Sequence, residues 1–264
     1  MKIDNGKEWI RKYARIGLLA KGIVYILIGG LASFAAFNIG GQTGGKSEAF
    51  GFVMDQPMGR ILLGLIALGL LGYVVWRMIQ TFLNPEDEDF FPRVGYFSSG
   101  AFYATIAFTA AQMAISGNGS DDSSGKQEYY ISTIIDETWG QIAVGIVSLV
   151  FFGRAIYHLY RALSGKYAHK LKDMDLNQHA RQVLLKAGMV GYIARAVVIG
   201  IIGFLFLQAA WYANSSQAGG TEEAFGLLQQ SVAGPILLGT VSLGLLAYGV
   251  FMIVKAQYRI LPSL

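Results

Sequence analysis

Six stretches of this chain each supply about 20 consecutive, mostly apolar residues, which at about 1.5 Å of helical rise per residue is the length needed to cross a hydrocarbon layer about 30 Å thick. They cover 16–37, 61–83, 94–115, 142–163, 190–211 and 235–254. About half of the 264 residues would lie in hydrocarbon, and the rest is too scattered to build a separate soluble domain. Composition points the same way: 53% of the residues are hydrophobic and 14% charged, whereas soluble domains carry about 25% charged residues. Disordered, collagen-like and disulfide-stapled secreted chains are excluded. With no cysteine at all, a disulfide framework, a thiolate metal site and a cysteine nucleophile are excluded too.

The formal charge of +4 is not a nucleic-acid signature, because the charges are sorted by segment. Lysine and arginine resist translocation, so the richer side of a membrane protein is the cytoplasmic one. The N-terminal segment carries Lys2, Lys7, Arg11, Lys12 and Arg15, and the connection after the fourth stretch carries Lys166, Lys170, Lys172, Arg181 and Lys186. The opposite connections hold only Lys46, Arg60 and Lys126. Both termini are predicted to be cytoplasmic. The first stretch exceeds the roughly 7 to 15 residues of a secretory h-region and no small-x-small cleavage site follows it, so it is expected to remain as a span.

The stretches also repeat in pairs. Gly17, Gly22 and Tyr25 align with Gly95, Gly100 and Tyr103, and with Gly191, Ala196 and Ile199. Gly59 and Gly64 align with Gly140 and Gly145, and with Gly234 and Gly239. The connector inside each pair opens on Gly45 to Glu48, Gly125 to Glu128 or Gly220 to Glu223. Because every unit contains two spans, all three would enter the membrane from the same side, which predicts a pseudo-threefold bundle and disfavours the inverted repeats of many secondary transporters. Small residues at Gly22 and Gly29, at Gly100 and Ala107, and at Ala196 and Gly203 mark one face for close helix contact; Gly64, Gly69 and Gly72 suggest another.

With these residues in place, the triplicated hairpin resembles a bacterial integral-membrane family known as domain of unknown function 1206, over nearly the whole chain. The resemblance implies three two-helix repeats. It carries no catalytic residue, substrate or cofactor to transfer. Ala196 and Ile199, where the first copy has Gly22 and Tyr25, make the threefold equivalence approximate.

The connectors have helical spacing of apolar residues, with Phe50, Val53 and Met54 answering Phe225 and Leu228, and Tyr130 and Ile134 in the middle copy. Short interfacial helices are expected, with Glu48, Glu128 and Glu223 in their first turns, where a carboxylate complements the helix dipole; convergence of the three carboxylates on a cation is the alternative. On the other side, residues 86–89 form an acidic turn, read as a solvated linker without the spacing of a calcium loop. Residues 166–186 suit a surface helix against anionic lipid heads.

Ionisable groups inside spans are costly and therefore informative. None of the six stretches contains Asp or Glu, which disfavours a proton- or sodium-coupled carrier, and the ionisable groups present are basic. Lys21 and Arg195 occupy equivalent positions with Ser99 between them; Arg154, His158 and Arg161 share one helical face, and their counterparts are Tyr73, Arg77 and Gln80, then Tyr248, Met252 and Lys255. Lys21, Arg77, Arg154, His158, Arg161, Arg195 and Lys255 are thus candidate contacts for lipid phosphate or another anion. Two readings stand: snorkelling anchors that set topology, or a ring of basic groups around a cytoplasmic-side cavity. Arg154 discriminates, because it lies about 13 Å by helix rise from the end of its stretch, too deep for easy snorkelling. His158 has no partner at metal-ligand spacing, and His169 and His179 lie in a connection. No nucleophile elbow or phosphate loop occurs.

The sequence thus predicts an all-α polytopic membrane protein: a single membrane domain, 1–264, of six transmembrane helices in three parallel repeats at about 9–83, 91–163 and 185–260, in the bacterial inner (plasma) membrane. Expected partners are membrane lipids, anionic on the cytoplasmic side, and not nucleic acid; no cofactor is expected. The leading expectation is a non-enzymatic structural or lipid-interacting bundle; the alternative is a small channel or carrier for an anion or amphiphile along the axis. Because the chain lacks cysteine, topology is directly testable. In sealed cells an impermeant maleimide should label Asp122→Cys and leave Lys172→Cys unlabelled until the membrane is opened; equal labelling would refute the orientation.

Overall fold

The computed structural model describes residues 4–37, 45–84, 89–117, 133, 135, 137–165, 167 and 177–258, with side chains from Arg15 onward except those of Ser47 and Phe91. All regular elements among them are helical. Six are long: α1 (Asp4–Ala36), α3 (Gly59–Phe82), α4 (Phe90–Ser116), α5 (Thr138–Leu163), α6 (Gln178–Tyr212) and α8 (Gly234–Tyr258). Two short helices, α2 (Lys46–Met54) and α7 (Thr221–Gln230), connect α1 to α3 and α6 to α8. Apolar runs take this form because backbone polar groups in hydrocarbon must be satisfied within their own segment.

Local chemistry sets several ends. Pro92 and Pro235 lie in the first turns of α4 and α8, where a missing N–H leaves no helical bond unmade. The Asn177 side chain caps α6 by accepting from the Ala180 N–H at 2.7 Å. Gly117, left-handed at φ 71°, closes α4 with its N–H on the Met113 carbonyl.

Five of the long helices, all but α4, are long and apolar enough to cross a membrane. Their outward faces are apolar as well, as with Leu65 and Leu68 of α3, Ile146 and Leu149 of α5, and Ile236 of α8, an exposure that only a nonpolar surrounding tolerates. The chain is a multi-pass helical membrane protein. The fourth helix spans 27 residues but carries Ser98, Ser99, Thr105, Thr109 and Gln112, which lower its hydropathy. Thr105 and Thr109 satisfy their hydroxyls on the carbonyls of Phe102 and Thr105.

The helices pack side by side in the order α4, α3, α1, α8, α6, α5. Small residues make the approaches close. A side-chain carbon on Gly29 would stand 2.5 Å from the Leu246 backbone, and one on Gly22 would meet the Gly249 carbonyl at 2.9 Å, so both are α1–α8 contacts. Buried hydroxyls add polar contacts: Ser33 donates to Ser242 at 3.0 Å between α1 and α8, and Ser148 to the Gly203 carbonyl at 2.8 Å between α5 and α6.

Within the first and third hairpins, Gly17 lies against the Tyr73 backbone and Gly191 against that of Tyr248, where an added carbon would stand 2.5 and 2.7 Å away. Gly69 and Gly244 admit the methyl groups of Ala20 and Ala194 in the same two hairpins. The middle hairpin lacks this contact. By register its residues are Gly95, Ser98, Val150 and Arg154, and Gly95 has no neighbour within 4 Å of where a side chain would start. Among the described residues α4 and α5 do not form an extended interface. With one long-helix partner, α5 buries 17% of its apolar window, against 44% to 56% for the other four.

The connector helices behave as expected from spacing. Ala49, Phe50 and Val53 of α2 and Ala224 and Phe225 of α7 are buried in the bundle. Glu48 and Glu223 lie in first turns, and the Glu223 carboxylate accepts from the Gly220 N–H. Glu128, Tyr130 and Ile134 of the middle connector, acidic residues 86–88 and His169 lie outside the described residues. Two readings change. Helix α6 begins at Gln178, so the second half of the segment expected to form a separate surface helix is instead the first turns of α6. Gly64 and Gly153 have no close neighbour, so close contacts on the second helices are made by Gly69 of α3 and by Gly244 and Gly249 of α8.

Overpacking a close helix contact costs about 1–3 kcal/mol. Gly17→Ala and Gly191→Ala should therefore lower the thermal unfolding midpoint in detergent, while Gly95→Ala leaves it unchanged or raises it. Equal destabilisation by all three would contradict the open middle hairpin.

Candidate functional site

All seven residues that the sequence singled out, Lys21, Arg77, Arg154, His158, Arg161, Arg195 and Lys255, line one cavity of about 70 Å³. Helix positions explain the convergence. Lys21 and Arg195 stand near the middle of α1 and α6 and Ser99 in the first half of α4, and the other cations occur in the second halves of the antiparallel α3, α5 and α8, so the set occupies the half of the bundle away from α2 and α7. The lining follows the repeat register: Leu18, Tyr96 and Tyr192 form one equivalent set, Lys21, Ser99 and Arg195 the next, then Arg77, His158 and Met252, and Gln80, Arg161 and Lys255. No aspartate or glutamate among the described residues lines it.

Arg154 settles the geometry that the sequence left open. Its guanidinium faces the interior, donates to the Ser98 carbonyl at 3.3 Å and stands 5.5 Å over the Phe102 ring, so it reaches from α5 across to α4. Lys21 and Arg195 are 2% and 3% exposed, which excludes snorkelling along lipid for these two. His158 and Lys255 are also buried, and Arg77 and Arg161 partly so.

The cations are held by phenols. Lys21 donates to the Tyr73 hydroxyl at 3.2 Å, Arg77 to the same oxygen at 2.8 Å, and Arg195 to the Tyr248 hydroxyl at 2.6 Å. Each hairpin pairs one central cation with one oxygen partner: Lys21 with Tyr73, Arg154 with the Ser98 carbonyl, and Arg195 with Tyr248. In the middle hairpin the cation has moved to the second helix, since Arg154 stands where the others have Tyr73 and Tyr248, and Ser99 where they have Lys21 and Arg195. Lys21 also lies 4.8, 4.9 and 5.5 Å over the rings of Tyr73, Tyr103 and Tyr248. Arg195 shares two of these rings and adds Tyr25 at 5.2 Å. Each ring face attracts the cation set over it, by about 2 kcal/mol in a desolvated site, which offsets part of the repulsion between the like charges.

Not all donors are used within the protein: His158 Nδ1 and Arg195 Nε are buried without a partner. The wall therefore combines fixed positive charge with free buried polar atoms, the chemistry that binds an oxyanion. Among the described residues no three His, Cys, Asp or Glu side chains cluster as a metal site.

A second chamber, about 40 Å³ and largely apolar, adjoins the first and shares Arg154 and Arg195 with it. Its lining follows the same register: Val24, Phe102 and Val198; Tyr25, Tyr103 and Ile199; Ile28, Ile106 and Ile202. Lys46 of α2 and Thr221 of α7 line it as well, with the Lys46 amine 4.8 Å over Phe102. Burial pushes this amine below the usual lysine range, opposed by Glu222 and Glu223. In the segment after α5, Tyr167 donates to the Leu185 carbonyl at 2.9 Å, and burial beside Tyr192 pushes its hydroxyl above the usual phenol range.

Sequence reasoning missed the tyrosines as partners and treated Lys46 as a loop charge. The signal for Tyr73 and Tyr248 was present, since both align with Arg154. That Tyr25 and Tyr103 would share a hydrogen bond, at 3.1 Å, depended on three-dimensional packing.

These features define a class: a helical multi-pass membrane protein built from repeated hairpins around a buried basic cavity. The chain belongs to the Domain of Unknown Function family DUF1206, whose model matches three times, at residues 16–84, 94–165 and 190–259. It is 28% identical over 258 residues to the "Uncharacterized protein YxxB" of Bacillus subtilis (strain 168), a match covering 96% of this chain and 92% of that relative. No solved structure matches it.

Loss of a buried acceptor strands its donor, at about 1–3 kcal/mol. Tyr73→Phe, which strands two cations, should lower the unfolding midpoint in detergent more than Tyr248→Phe, with exposed Tyr212→Phe near neutral. Unchanged midpoints for the two buried variants would overturn the phenol network.

Proposed function

We propose that this protein is a non-enzymatic, six-span protein of a bacterial inner (plasma) membrane, with both termini cytoplasmic, that binds a phosphate-class oxyanion in the basic cavity. In this reading α4 is the sixth span, its polar residues turned to the interior or satisfied on its own backbone. The three hairpins stand around a pseudo-threefold axis, a view supported by equivalent residues from all three copies lining both chambers. With the basic end cytoplasmic, the cavity adjoins the leaflet where anionic headgroups concentrate.

One observation carries the binding reading. Lys21, Arg77, Arg154, Arg161 and Arg195 line a common space that no described carboxylate lines, with Arg195 Nε and His158 Nδ1 free. Unneutralised charge in a poorly solvated site costs several kcal/mol per ion. A bound oxyanion removes that cost and takes up the free donors. Binding is favoured over passage of a hydrated anion along the axis, because the neighbouring chamber offers mainly aliphatic and aromatic walls to an ion that has shed its water.

Titration calorimetry with inorganic phosphate and native mass spectrometry with phosphatidic acid separate the two sources of the same chemistry. Wild-type protein should bind at least one of them, and Arg195→Gln and Lys21→Met should each weaken it by about tenfold or more, about 1.4 kcal/mol. Absence of binding to both, or wild-type affinity in both variants, would refute the assignment.

A further inference from the structure

Resting on that oxyanion reading, we infer that the occupant is a membrane lipid that enters sideways through the middle hairpin, between α4 and α5, with its phosphate in the basic cavity, its first carbons against the apolar chamber and the rest of its chains in the seam and the bilayer. The middle hairpin is specifically unpacked. Where the outer hairpins bring their helices together through Gly69 on Ala20 and Gly244 on Ala194, the middle one places Val150 and Ser98. The glycine and alanine that let backbones meet in the outer hairpins are absent here, and Val150 stands 47% exposed. Gly17 and Gly191 touch the facing helix, whereas Gly95, in the same register, touches nothing.

The opening leads to a place with the right chemistry. Phe102, Tyr103 and Ile106 of α4 and Phe151 and Arg154 of α5 all line the apolar chamber, so the two helices that flank the unpacked seam also wall the chamber. Arg154 belongs to both chambers, and its bond to the Ser98 carbonyl is a polar bridge across the seam. A free inorganic anion needs only the basic cavity. The apolar chamber, joined to it at Arg154 and Arg195, presents aliphatic and aromatic walls to the first carbons of a molecule continuous with that phosphate. Unpaired Arg195 Nε supplies a donor for that phosphate, and His158 Nδ1 supplies a second when it carries the imidazole proton, both on side chains more than nine-tenths buried.

The test uses the full-length protein in phosphatidylcholine vesicles containing phosphatidic acid with a nitroxide on its acyl chain, read by electron spin resonance. Wild-type protein should give an immobilised phosphatidic acid component in excess of that given by nitroxide-labelled phosphatidylcholine, which reports the ordinary lipid annulus, and this excess is the signal read. Gly95→Trp, which fills the seam from outside both chambers, should reduce it about tenfold while calorimetric affinity for inorganic phosphate in detergent changes by less than about twofold. Ser98→Ala/Val150→Gly, which copies the packed hairpins, should reduce it in the same direction and serves if the tryptophan variant does not fold. An excess undiminished in both variants would overturn lateral entry. So would loss of phosphate affinity together with the lipid signal, because the substitution would then act on the cavity. If wild-type protein binds phosphate but shows no such excess, the lipid inference fails and the oxyanion site stands; if it binds neither, both fail.

Discussion

Positive charge confined in a poorly solvated interior governs this molecule. Lys21 and Arg195 are almost completely enclosed, and an ion taken out of water costs several kcal/mol unless its surroundings replace the lost hydration. The protein replaces it with phenol oxygens and ring faces. Tyr73 accepts from two cations, Tyr248 from a third, and the faces of Tyr25 and Tyr103 fill the space around them. This arrangement neutralises no charge. It lowers the cost of holding the cations together and leaves their field directed into the cavity, where a carboxylate partner would have cancelled it.

Repetition explains how such a cluster is assembled. Three copies of one hairpin deliver equivalent positions to common chambers, so a basic residue at a repeated site is multiplied around the interior. Divergence between copies does the rest. Exchange of Tyr for Arg154 and of a cation for Ser99 moves one charge from the first helix of its hairpin to the second. The same hairpin has traded its small contact residues for Val150 and Ser98, so the departure in charge and the departure in packing fall together.

The helices, their pairing into repeats, the connector helices α2 and α7 and the identity of the basic cluster were legible in the chain. Apolar length and helical spacing are local properties that survive any arrangement of neighbours. Other features were not. The end of α6 at Gln178 escaped because a mixed-charge stretch such as 178–186 reads equally as surface helix or helical extension. Lys46 counted as a loop charge because nothing local announces that α2 will press it over Phe102. Gly64 and Gly69 look alike in a pattern of small residues; only the facing Ala20 distinguishes the one that makes a contact.

From sequence alone follow the membrane class, the threefold repetition and a set of basic residues without carboxylates in the apolar stretches, because hydrophobic length and charge type are written residue by residue. Tertiary structure decided that these residues face one another around a cavity instead of lipid, that tyrosines hold them, and that one hairpin of three is left unpacked. Each of those outcomes depends on which helix lies opposite, a relation between segments distant in the chain that local composition does not encode.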